Sequence, residues 1–333
     1  MKYDVITIGS ATQDVFIRSK ALEEQKDPLV PDGIDVCVPL GSKIGIDELT
    51  FSTGGGATNA ATTFSRLGLK TACIARIGKD VIGQAIKAEI KKEKIDTKFL
   101  QIDPKEKTGY SVVLLDRTGR RGILTHRGAA QNLQAKELPL KKTTCRWLYL
   151  TSFGGDTKLA KEVITSGKRI GAKISWNPGG KELAKGLRAL RPLIKEIDVL
   201  HVNREEAAQL TELPPRHLQD VIKKLAGFFH GILVVTDGSH GAYVHADGKT
   251  FFVGTLKGKP INTTGAGDAF GSGFIAALAK GKDLETALRI AALNADGVVK
   301  SMGAKAGILR SLPKKNAVEK IKVTQVRAEI KKR

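Results

Sequence analysis

The chain has 333 residues and a formal charge of +21, and 41% of its residues are hydrophobic. This length suits one large domain or two ordinary ones, and no stretch approaches the roughly 20 consecutive apolar residues of a membrane-spanning helix. The opening MKYDVITIGS has the pattern of a strand rather than of a signal peptide, so we expect a cytoplasmic protein without a membrane partner. Cys37, Cys73 and Cys145 lie far apart, which predicts free thiols rather than disulfides or a zinc site.

The positive charge is the feature that would suggest a nucleic-acid partner. Its distribution does not favour one, because the lysines of helical segments such as 85–95 are mixed with glutamates, as on a solvated helix face. Aromatic residues make up only 5% of the chain and are not interleaved with the basic ones, so no base-stacking surface is indicated. We therefore expect no specific nucleic-acid partner, and the densest basic run, the tail from Pro313, reveals no role.

Short apolar runs alternate with segments of helical periodicity along the chain. Strand patterns occur at residues 3–11, 71–78, 147–152, 172–177, 199–203 and 231–238. Helical patterns occur at residues 56–68, 80–94, 159–171, 205–211, 269–281 and 284–303. This alternation predicts an α/β fold with a mostly parallel central sheet and helices on both faces. No repeat, linker or low-complexity segment divides it, so we expect a single domain over residues 1–333.

Two segments interrupt the alternation. Residues 18–52 are polar and rich in turn signals, and residues 109–127 have two β-rich runs around DRTGR, the pattern of a hairpin. Together they predict a small sheet beside the main one. Two interpretations stay open, a mobile lid over the carboxyl edge of the main sheet and a β-excursion packed rigidly on the core.

The segment INTTGAGDAFGSGF, residues 261–274, places two glycines and one carboxylate directly before an apolar helix. Gly265 and Gly267 allow positive φ and let backbone N–H groups converge, and Asp268 falls in the first helical turn. A helix start carries about half a positive charge and unpaired N–H donors, which suits a phosphate. The local alternative is that Asp268 only caps its helix.

Two common phosphate-binding motifs are missing from the chain. GTLKGKP is the nearest approach to a P-loop, but it has the wrong spacing and ends in proline. The first strand leads into GSATQD rather than the G-x-G-x-x-G of a dinucleotide turn. A phosphate site would therefore have to be built by the turn at residues 265–268.

The segment NTTGAGDAFGSGF resembles the carboxyl-side signature of the ribokinase (PfkB) carbohydrate-kinase family, and GGGATNAATTFSRLG, residues 54–68, resembles its amino-side signature. The pieces GSATQD, NPG, NREE and TDGSHG lie between or beside them in the family's order and spacing, so the resemblance spans nearly the whole chain. It implies a three-layer ribokinase-like fold, a mostly parallel central sheet with a small β lid. It also implies a kinase that transfers a phosphoryl group to an alcohol.

By this resemblance Asp268 is the catalytic base that accepts the proton of a primary hydroxyl. The N–H groups of Gly265, Ala266 and Gly267 form the anion hole for the transferring phosphoryl group. A positioned base typically contributes about 10²–10⁴-fold in rate.

The resemblance also implies a nucleotide site on the carboxyl half of the chain. Its predicted residues are Asn177, Asn203, Glu206, Thr236, Gly238, Gly241 and Asn294. Glu206 would act on Mg²⁺ through water. Each polar member has a simpler interpretation as well: a capping box for Asn203 and Glu206, a turn residue for Asn177, and a polar residue on a helix face for Asn294.

The implied acceptor site combines Asp14 with Gly54, Gly55 and Asn59. The alternative for the last three residues is a tight turn and a helix cap. Ribokinase proper has an asparagine at the place of Thr12 and a lysine at the place of Gly56, so free ribose is not favoured. The signature's usual first aspartate, which helps to hold an activating monovalent cation in the family, is Asn262 here. We expect weak or no stimulation by potassium.

The sequence thus predicts an ATP- and Mg²⁺-dependent kinase for a small molecule, with ADP as donor not excluded. A sugar is the first choice of acceptor, a nucleoside the second and a sugar phosphate the third. A basic binding protein that kept the fold without catalysis is the alternative from another class. Pairing of lids into a homodimer is also expected from the family.

Overall fold

The computed structural model describes residues 2–27, 34–38, 40–115 and 121–326. The turn of the predicted 109–127 hairpin and the end of the basic tail lie outside these ranges. The strands are β1 Tyr3–Gly9, β2 Thr12–Arg18, β3 Glu23–Lys26, β4 Ile34–Cys37, β5 Glu48–Gly54, β6 Thr71–Gly78, β7 Gln101–Asp103, β8 Gly109–Leu115, β9 Arg121–His126, β10 Cys145–Leu150, β11 Lys173–Trp176, β12 Val199–Asn203, β13 Ile232–Thr236, β14 Ala242–Ala246, β15 Lys249–Val253 and β16 Val323–Val326. The helices are α1 Gly56–Arg66, α2 Val81–Lys92, α3 Thr157–Arg169, α4 Gly180–Leu183, α5 Gly186–Ile194, α6 Arg204–Thr211, α7 Leu218–Ala226, α8 Ala266–Ala279, α9 Leu284–Val299 and α10 Lys315–Glu319.

The described residues form a main sheet of ten strands in the order β16-β15-β14-β13-β12-β11-β10-β1-β6-β7. The neighbouring strands β13, β12, β11, β10, β1, β6 and β7 of this sheet are parallel to one another. Strands β14, β15 and β16 extend the sheet with antiparallel pairing at one edge. All eight residues of β6 are buried, as expected for a parallel strand covered on both faces. The mostly parallel α/β sheet predicted from the alternation of elements is confirmed.

Two apolar cores cover the two faces of this sheet. Successive residues of one strand point to opposite faces, so Val5 of β1 packs into one core and Ile6 into the other. Helices α3, α5, α6 and α7 fill the Ile6 side, and α1, α8, α9 and α10 fill the Val5 side. The structure therefore has three layers, and helix α8, which begins with the TGAGD segment, is held between the sheet, α1 and α9.

A second sheet of four strands lies beside the first in the order β5-β2-β8-β9. The predicted hairpin is present as antiparallel β8 and β9. The predicted irregular segment 18–52 instead supplies the strand β5 and the small β3–β4 hairpin. The central strand β2 begins at Thr12, before the predicted boundary, because Val15 and Phe16 bury apolar surface within this sheet. We refer to these four strands as the lid sheet.

The antiparallel edge of the main sheet was not anticipated from the sequence. The short strands β14 and β15 are joined by Asp247 and Gly248, both with positive φ. An Asp-Gly pair between two β-rich runs is a strong hairpin signal, so this hairpin was readable in principle. Within the described part of the chain, no helix is long and apolar enough to cross a membrane.

Candidate active site

The predicted site residues gather at the carboxyl edge of the parallel strands. Asn177 follows β11 directly, Asn203 ends β12 and Thr236 ends β13. Asp14 lies in β2, the strand that begins three residues after β1 ends. In open α/β sheets ligands bind at this edge, because the loops there leave a crevice between the helices.

Asp268 does not cap its own helix. The N-cap of α8 is Gly265, with φ +81° and no side-chain hydrogen bond. The Asp268 carboxylate turns instead toward α1, where its Oδ2 accepts a 2.8 Å hydrogen bond from Asn59 Nδ2. The local interpretation of Asp268 as a cap is therefore wrong, and its half-buried side chain contacts α1 instead.

The two glycines of the turn are needed for different reasons. A Cβ on Gly265 would lie 2.5 Å from the Cβ of Ala304, and the positive φ also excludes most side chains. A Cβ on Gly267 would meet no protein atom within 4 Å. The missing side chain of Gly267 thus leaves room outside the protein, beside backbone N–H groups of the first helical turn. Ala266 N–H makes only a long bond of 3.3 Å to Thr263 O.

The Asp14 carboxylate occupies space that only a glycine leaves open. Its exposed fraction is 7%, and a Cβ on Gly54 would lie 1.9 Å from Asp14 Oδ2. Thr12 Oγ1 donates to Asp14 Oδ1 at 3.2 Å, and the Ser111 hydroxyl also hydrogen-bonds this carboxylate. Thr12, which stands where ribokinase proper has an asparagine, therefore orients the Asp14 carboxylate.

The second glycine of this pair starts helix α1. Gly55 is its N-cap with φ +93°, and a Cβ there would lie 2.5 Å from Ser10 O. This tight start brings Asn59, on the first turns of α1, to Asp268. Asn59 Oδ1 is buried without a hydrogen-bond partner in the described part of the chain.

The pKa values of both carboxyl groups are raised. Burial raises the pKa of Asp268, and the negative charge of Asp14 raises it further, while the Asn59 hydrogen bond and the positive charge of Lys305 oppose the rise. Burial also raises the pKa of Asp14, against hydrogen bonds from Ser111 and Thr12 and the charge of Lys305. A carboxylate with a raised pKa is a stronger base once it is ionised.

Lys305 is a member of this group that was missed from the sequence. It lies in the loop after α9, its exposed fraction is 5%, and its ammonium group contacts Thr53 Oγ1 and, at 3.4 Å, Glu89 Oε1. Burial lowers the pKa of Lys305, and the charge of Glu89 opposes this. No local motif marks SMGAKAG, residues 301–307, so only the tertiary fold reveals the position of this lysine.

Asn203 and Glu206 form the capping box that was the simpler interpretation. Asn203 Oδ1 accepts from Glu206 N at 2.8 Å, and Glu206 Oε2 accepts from Asn203 N at 2.8 Å. Burial raises the pKa of Glu206, with further contributions from the charges of Glu205 and Asp268. The capping bonds fix the Glu206 side chain near Asp268, so the structural role does not exclude a role in binding.

A cavity of about 160 Å³ lies beside the turn that starts α8. Predicted nucleotide-site and anion-hole residues share its lining: Thr236, Gly238, Gly241, Ala266 and Gly267. The rest of the wall is mainly apolar and includes Val253, Gly254, Thr255, Leu256, Phe270, Ala292, Ala295, Asp296 and Val299. This combination of apolar walls and a few polar groups is typical of small-molecule sites.

Asn177 and Asn294 occupy different surroundings. Asn177 is half-buried at the sheet edge, and its Nδ2 donates to His201 O at 2.8 Å. Asn294 is fully buried, donates to Ala269 O at 2.7 Å and accepts from Leu309 N at 2.9 Å. The amide of Asn294 is thus occupied inside the protein and does not line the cavity, so we do not include this residue in the proposed site.

An ion pair joins the two loops that carry the nucleotide-site motifs. Arg204, next to Asn203, contacts the buried carboxylate of Asp237, next to Thr236. His240 lies 3.7 Å from the same carboxylate. Neither Arg204 nor Asp237 was singled out from the sequence, although both lie inside the NREE and TDG motifs.

The described residues contain no cluster of three or more His, Cys, Asp or Glu side chains that could hold a metal ion. Mg²⁺ in nucleotide sites commonly uses one or two carboxylates together with phosphate oxygens and water. A single fixed carboxylate, Glu206, is compatible with that mode.

Comparisons with known proteins agree with this geometry. A family model described as pfkB family carbohydrate kinase matches residues 36–310. A ribokinase of Haemophilus influenzae is 29% identical over 264 residues, which cover 77% of this chain and 83% of that protein. A cytidine kinase of Thermococcus kodakarensis is 25% identical over 304 residues, 90% of this chain and 97% of that protein.

The fold agrees with solved structures as well. The structure of Arabidopsis thaliana ribokinase complexed with ribose and ATP superposes with a TM-score of 0.74 at 22% identity and covers 96% of this chain and 98% of that one. The ribokinase-like fold predicted from the motifs is therefore confirmed. Because the family model matches most of the chain, the protein belongs to the pfkB family of carbohydrate kinases and is a phosphotransferase that acts on an alcohol group.

Proposed function

We propose that this protein transfers the γ-phosphate of ATP to a primary hydroxyl of a sugar, with Asp268 as the general base. The observation that carries the proposal is the Asp268 carboxylate itself. It accepts a hydrogen bond from Asn59, its pKa is raised by the charge of the buried Asp14, and it lies in the first turn of the helix whose residues Ala266 and Gly267 line the cavity. Asp268 thus lies between the proposed acceptor-binding residues and the proposed phosphate-binding turn.

Asp14, Asn59 and the Gly54–Gly55 turn would bind the acceptor. Asp14 would accept hydrogen bonds from sugar hydroxyls, and Asn59, which donates to Asp268 at 2.8 Å, would lie beside them. The primary hydroxyl would then lie beside Asp268, which takes its proton as the new O–P bond forms. The raised pKa of Asp268 supports this role, because it brings the pKa of the carboxyl group closer to that of the alcohol whose proton it accepts.

The turn Gly265-Ala266-Gly267 would receive the transferring phosphoryl group. Charge spreads over three oxygens in that transition state, so fixed N–H donors at a helix start stabilise it. The open space beside Gly267 supports this assignment. The long Ala266–Thr263 bond of 3.3 Å is weak enough for a phosphoryl oxygen to replace it.

The cavity lined by Thr236, Gly238 and Gly241 would hold the nucleotide. Asn177 and Asn203, at neighbouring strand ends, would lie toward its phosphates. Glu206 would hold Mg²⁺ through water, and the ion would neutralise charge on the phosphates when bound. The ATP and ribose present in the solved Arabidopsis ribokinase support these choices of donor and acceptor.

A nucleoside is the second candidate acceptor. Thr12 hydrogen-bonds Asp14 where ribokinase proper has an asparagine, and the chain aligns with a cytidine kinase over 90% of its length. A sugar phosphate has less support, because the cation nearest to Asp14 and Asp268, Lys305, is already paired with Glu89.

The lid sheet would close over the acceptor and exclude water, which limits wasteful hydrolysis of the nucleotide.

The surface of the lid sheet also supports the proposed homodimer, since Leu49, Phe51 and Leu124 have exposed fractions of 51%, 64% and 65%. Concentration-dependent sedimentation would test this, and a monomer at every concentration would contradict it.

The function is tested by a coupled nucleotide-consumption assay that crosses ATP and ADP with pentoses, hexoses, nucleosides and sugar phosphates in the presence of Mg²⁺. We expect turnover with ATP and one acceptor class, and a loss of about 10²–10⁴-fold in Asp268→Asn. Nucleotide binding should persist in this variant. Its melting temperature should not fall at neutral pH, because a carboxyl group whose folded-state pKa is raised destabilises the fold once it is ionised.

Wild-type turnover in Asp268→Asn would contradict the role of the base. Nucleotide binding without turnover on any acceptor would favour the binding-protein alternative.

The anion hole is tested by a matched pair of glycine variants. Gly267→Ala should fold normally, because the added methyl meets no protein atom and alanine favours a helix by roughly 1 kcal/mol over glycine. Its turnover should fall on the order of 10²-fold, because the methyl displaces the phosphoryl group. Gly265→Ala should instead lose stability by about 1–3 kcal/mol through its positive φ and its contact with Ala304. Wild-type kcat in Gly267→Ala would contradict the proposed phosphate position.

The response to potassium is tested at Asn262, whose Oδ1 accepts from Thr264 N at 3.0 Å. A neutral amide adds no negative charge to a cation site, so replacing sodium by potassium should change kcat little. Asn262→Asp should gain a potassium response. A large rise in the wild-type rate with potassium would contradict the prediction.

A further inference from the structure

We infer that Lys305 is a positioning residue that ties the lid strand β5 to the loop behind the anion-hole turn, so that the acceptor carboxylate and the base are aligned together. The inference rests on the proposed roles of Asp14 and Asp268. It adds a residue to which neither the signature motifs nor the family resemblance assigned a role.

Two elements, the lid strand β5 and helix α2, meet at the Lys305 ammonium group. Thr53, on β5 of the lid sheet, contacts it through Oγ1, and Glu89, on α2, lies 3.4 Å away through Oε1. Thr53 Oγ1 also donates to Glu89 Oε1 at 2.6 Å, so the three groups close a hydrogen-bonded triangle. Thr53 directly precedes Gly54, which packs on the Asp14 carboxylate. Movement of Lys305 is therefore transmitted to the acceptor site through one peptide unit.

The loop that carries Lys305 touches both halves of the site. A Cβ on Gly303 would lie 2.7 Å from Ser52 Oγ on β5, and a Cβ on Gly265 would lie 2.5 Å from Ala304 Cβ. The segment 303–305 thus fills the space between the lid strand and the turn that starts α8.

The loop is itself held by hydrogen bonds from Arg66, the last residue of α1. Arg66 Nη1 donates to Lys305 O at 2.8 Å and to Ile308 O at 3.2 Å, and its Nε and Nη2 donate to Glu93 at 2.9 and 2.6 Å. Helix α1 also carries Asn59, the partner of Asp268. The backbone at Lys305 is therefore fixed relative to the base, and the side chain extends from that fixed point to the lid.

The charge of Lys305 acts on the same groups. The groups that act on Asp268 are Asn59 from α1, Asp14 from β2 and Lys305 from the loop, and Asp268 in turn affects Tyr149 on β10 and Glu206 on α6. The Lys305 charge lowers the pKa of both Asp268 and Asp14, against the rise caused by burial. Cys73 and Glu89 are its other charged or titratable neighbours. Loss of the ammonium group would raise both carboxyl pKa values, so a higher pH would be needed to ionise the base.

The test uses Lys305→Met, Lys305→Arg and Thr53→Val, with Lys98→Met as the matched control. Lys98 pairs with Asp96 at 2.8 Å beside Tyr3, which begins β1 at the edge of the sheet opposite the site. For each variant we would measure the melting temperature, nucleotide affinity, kcat, the acceptor KM and the pH profile of kcat. The acceptor is the one that the wild-type protein turns over.

We expect Lys305→Met to lower kcat roughly 10- to 100-fold with little change in nucleotide affinity, and to move the acidic limb of the pH profile to higher pH. Lys305→Arg should restore the limb and part of kcat. Thr53→Val removes the tether but keeps the charge, so kcat should fall without a shift of the limb. Lys98→Met should match the wild type in kcat and in the pH of the acidic limb.

An unchanged kcat and an unchanged acidic limb in a folded Lys305→Met would overturn the inference. If Lys305→Met does not fold, Thr53→Val decides, and wild-type kcat in that variant overturns the inference. Full turnover in Asp268→Asn would instead refute the proposed function, so the two failures are distinguishable.

Discussion

The site depends on keeping a carboxylate ionised where burial and a second carboxylate oppose it. The charge of Asp14 disfavours ionisation of Asp268, and Asp14 is buried while Asp268 is half-buried. The protein offsets this with one amide donor, Asn59, at 2.8 Å and with the buried ammonium group of Lys305. Burial of carboxylates is costly for stability, and groups with strongly perturbed pKa values are concentrated at functional sites.

The fold supplies the distances that this arrangement needs. Parallel strands end at one edge of the sheet, so segments far apart in sequence deliver Asp14, Asn177, Asn203 and Thr236 to the same crevice. Helix α8 starts at that crevice, and its apolar face packs between sheet and neighbouring helices. The main sheet and its helices thus position the proposed base and the turn, while the lid sheet carries Asp14, the proposed acceptor-binding carboxylate.

Those parts of the site that are encoded locally were predictable from the sequence. The glycine spacing around Asp268 indicated a strained helix start, and the strand–helix alternation indicated the parallel sheet. Parts that depend on tertiary packing were not predictable in this way. Lys305 lies in a loop without a motif. Asn294 was expected at the nucleotide from the family resemblance, but a polar residue on a helix face gives no sign of what covers it. The β14–β15 hairpin was missed because its strands have only five residues each, although its Asp-Gly turn was visible.

The fold alone does not decide the acceptor, since this chain is similar to both a ribokinase and a cytidine kinase, and we propose that side chains around Asp14 decide it. Thr12 and the absence of a side chain at Gly56 distinguish this pocket from that of ribokinase proper.

The most direct test of the central claim is a crystal structure of the protein with a non-hydrolysable ATP analogue and the acceptor that it turns over. The account predicts a primary hydroxyl within about 3.2 Å of an Asp268 carboxylate oxygen and the terminal phosphate at the Gly265–Gly267 turn. A hydroxyl beside another carboxylate, with the terminal phosphate away from this turn, would contradict it.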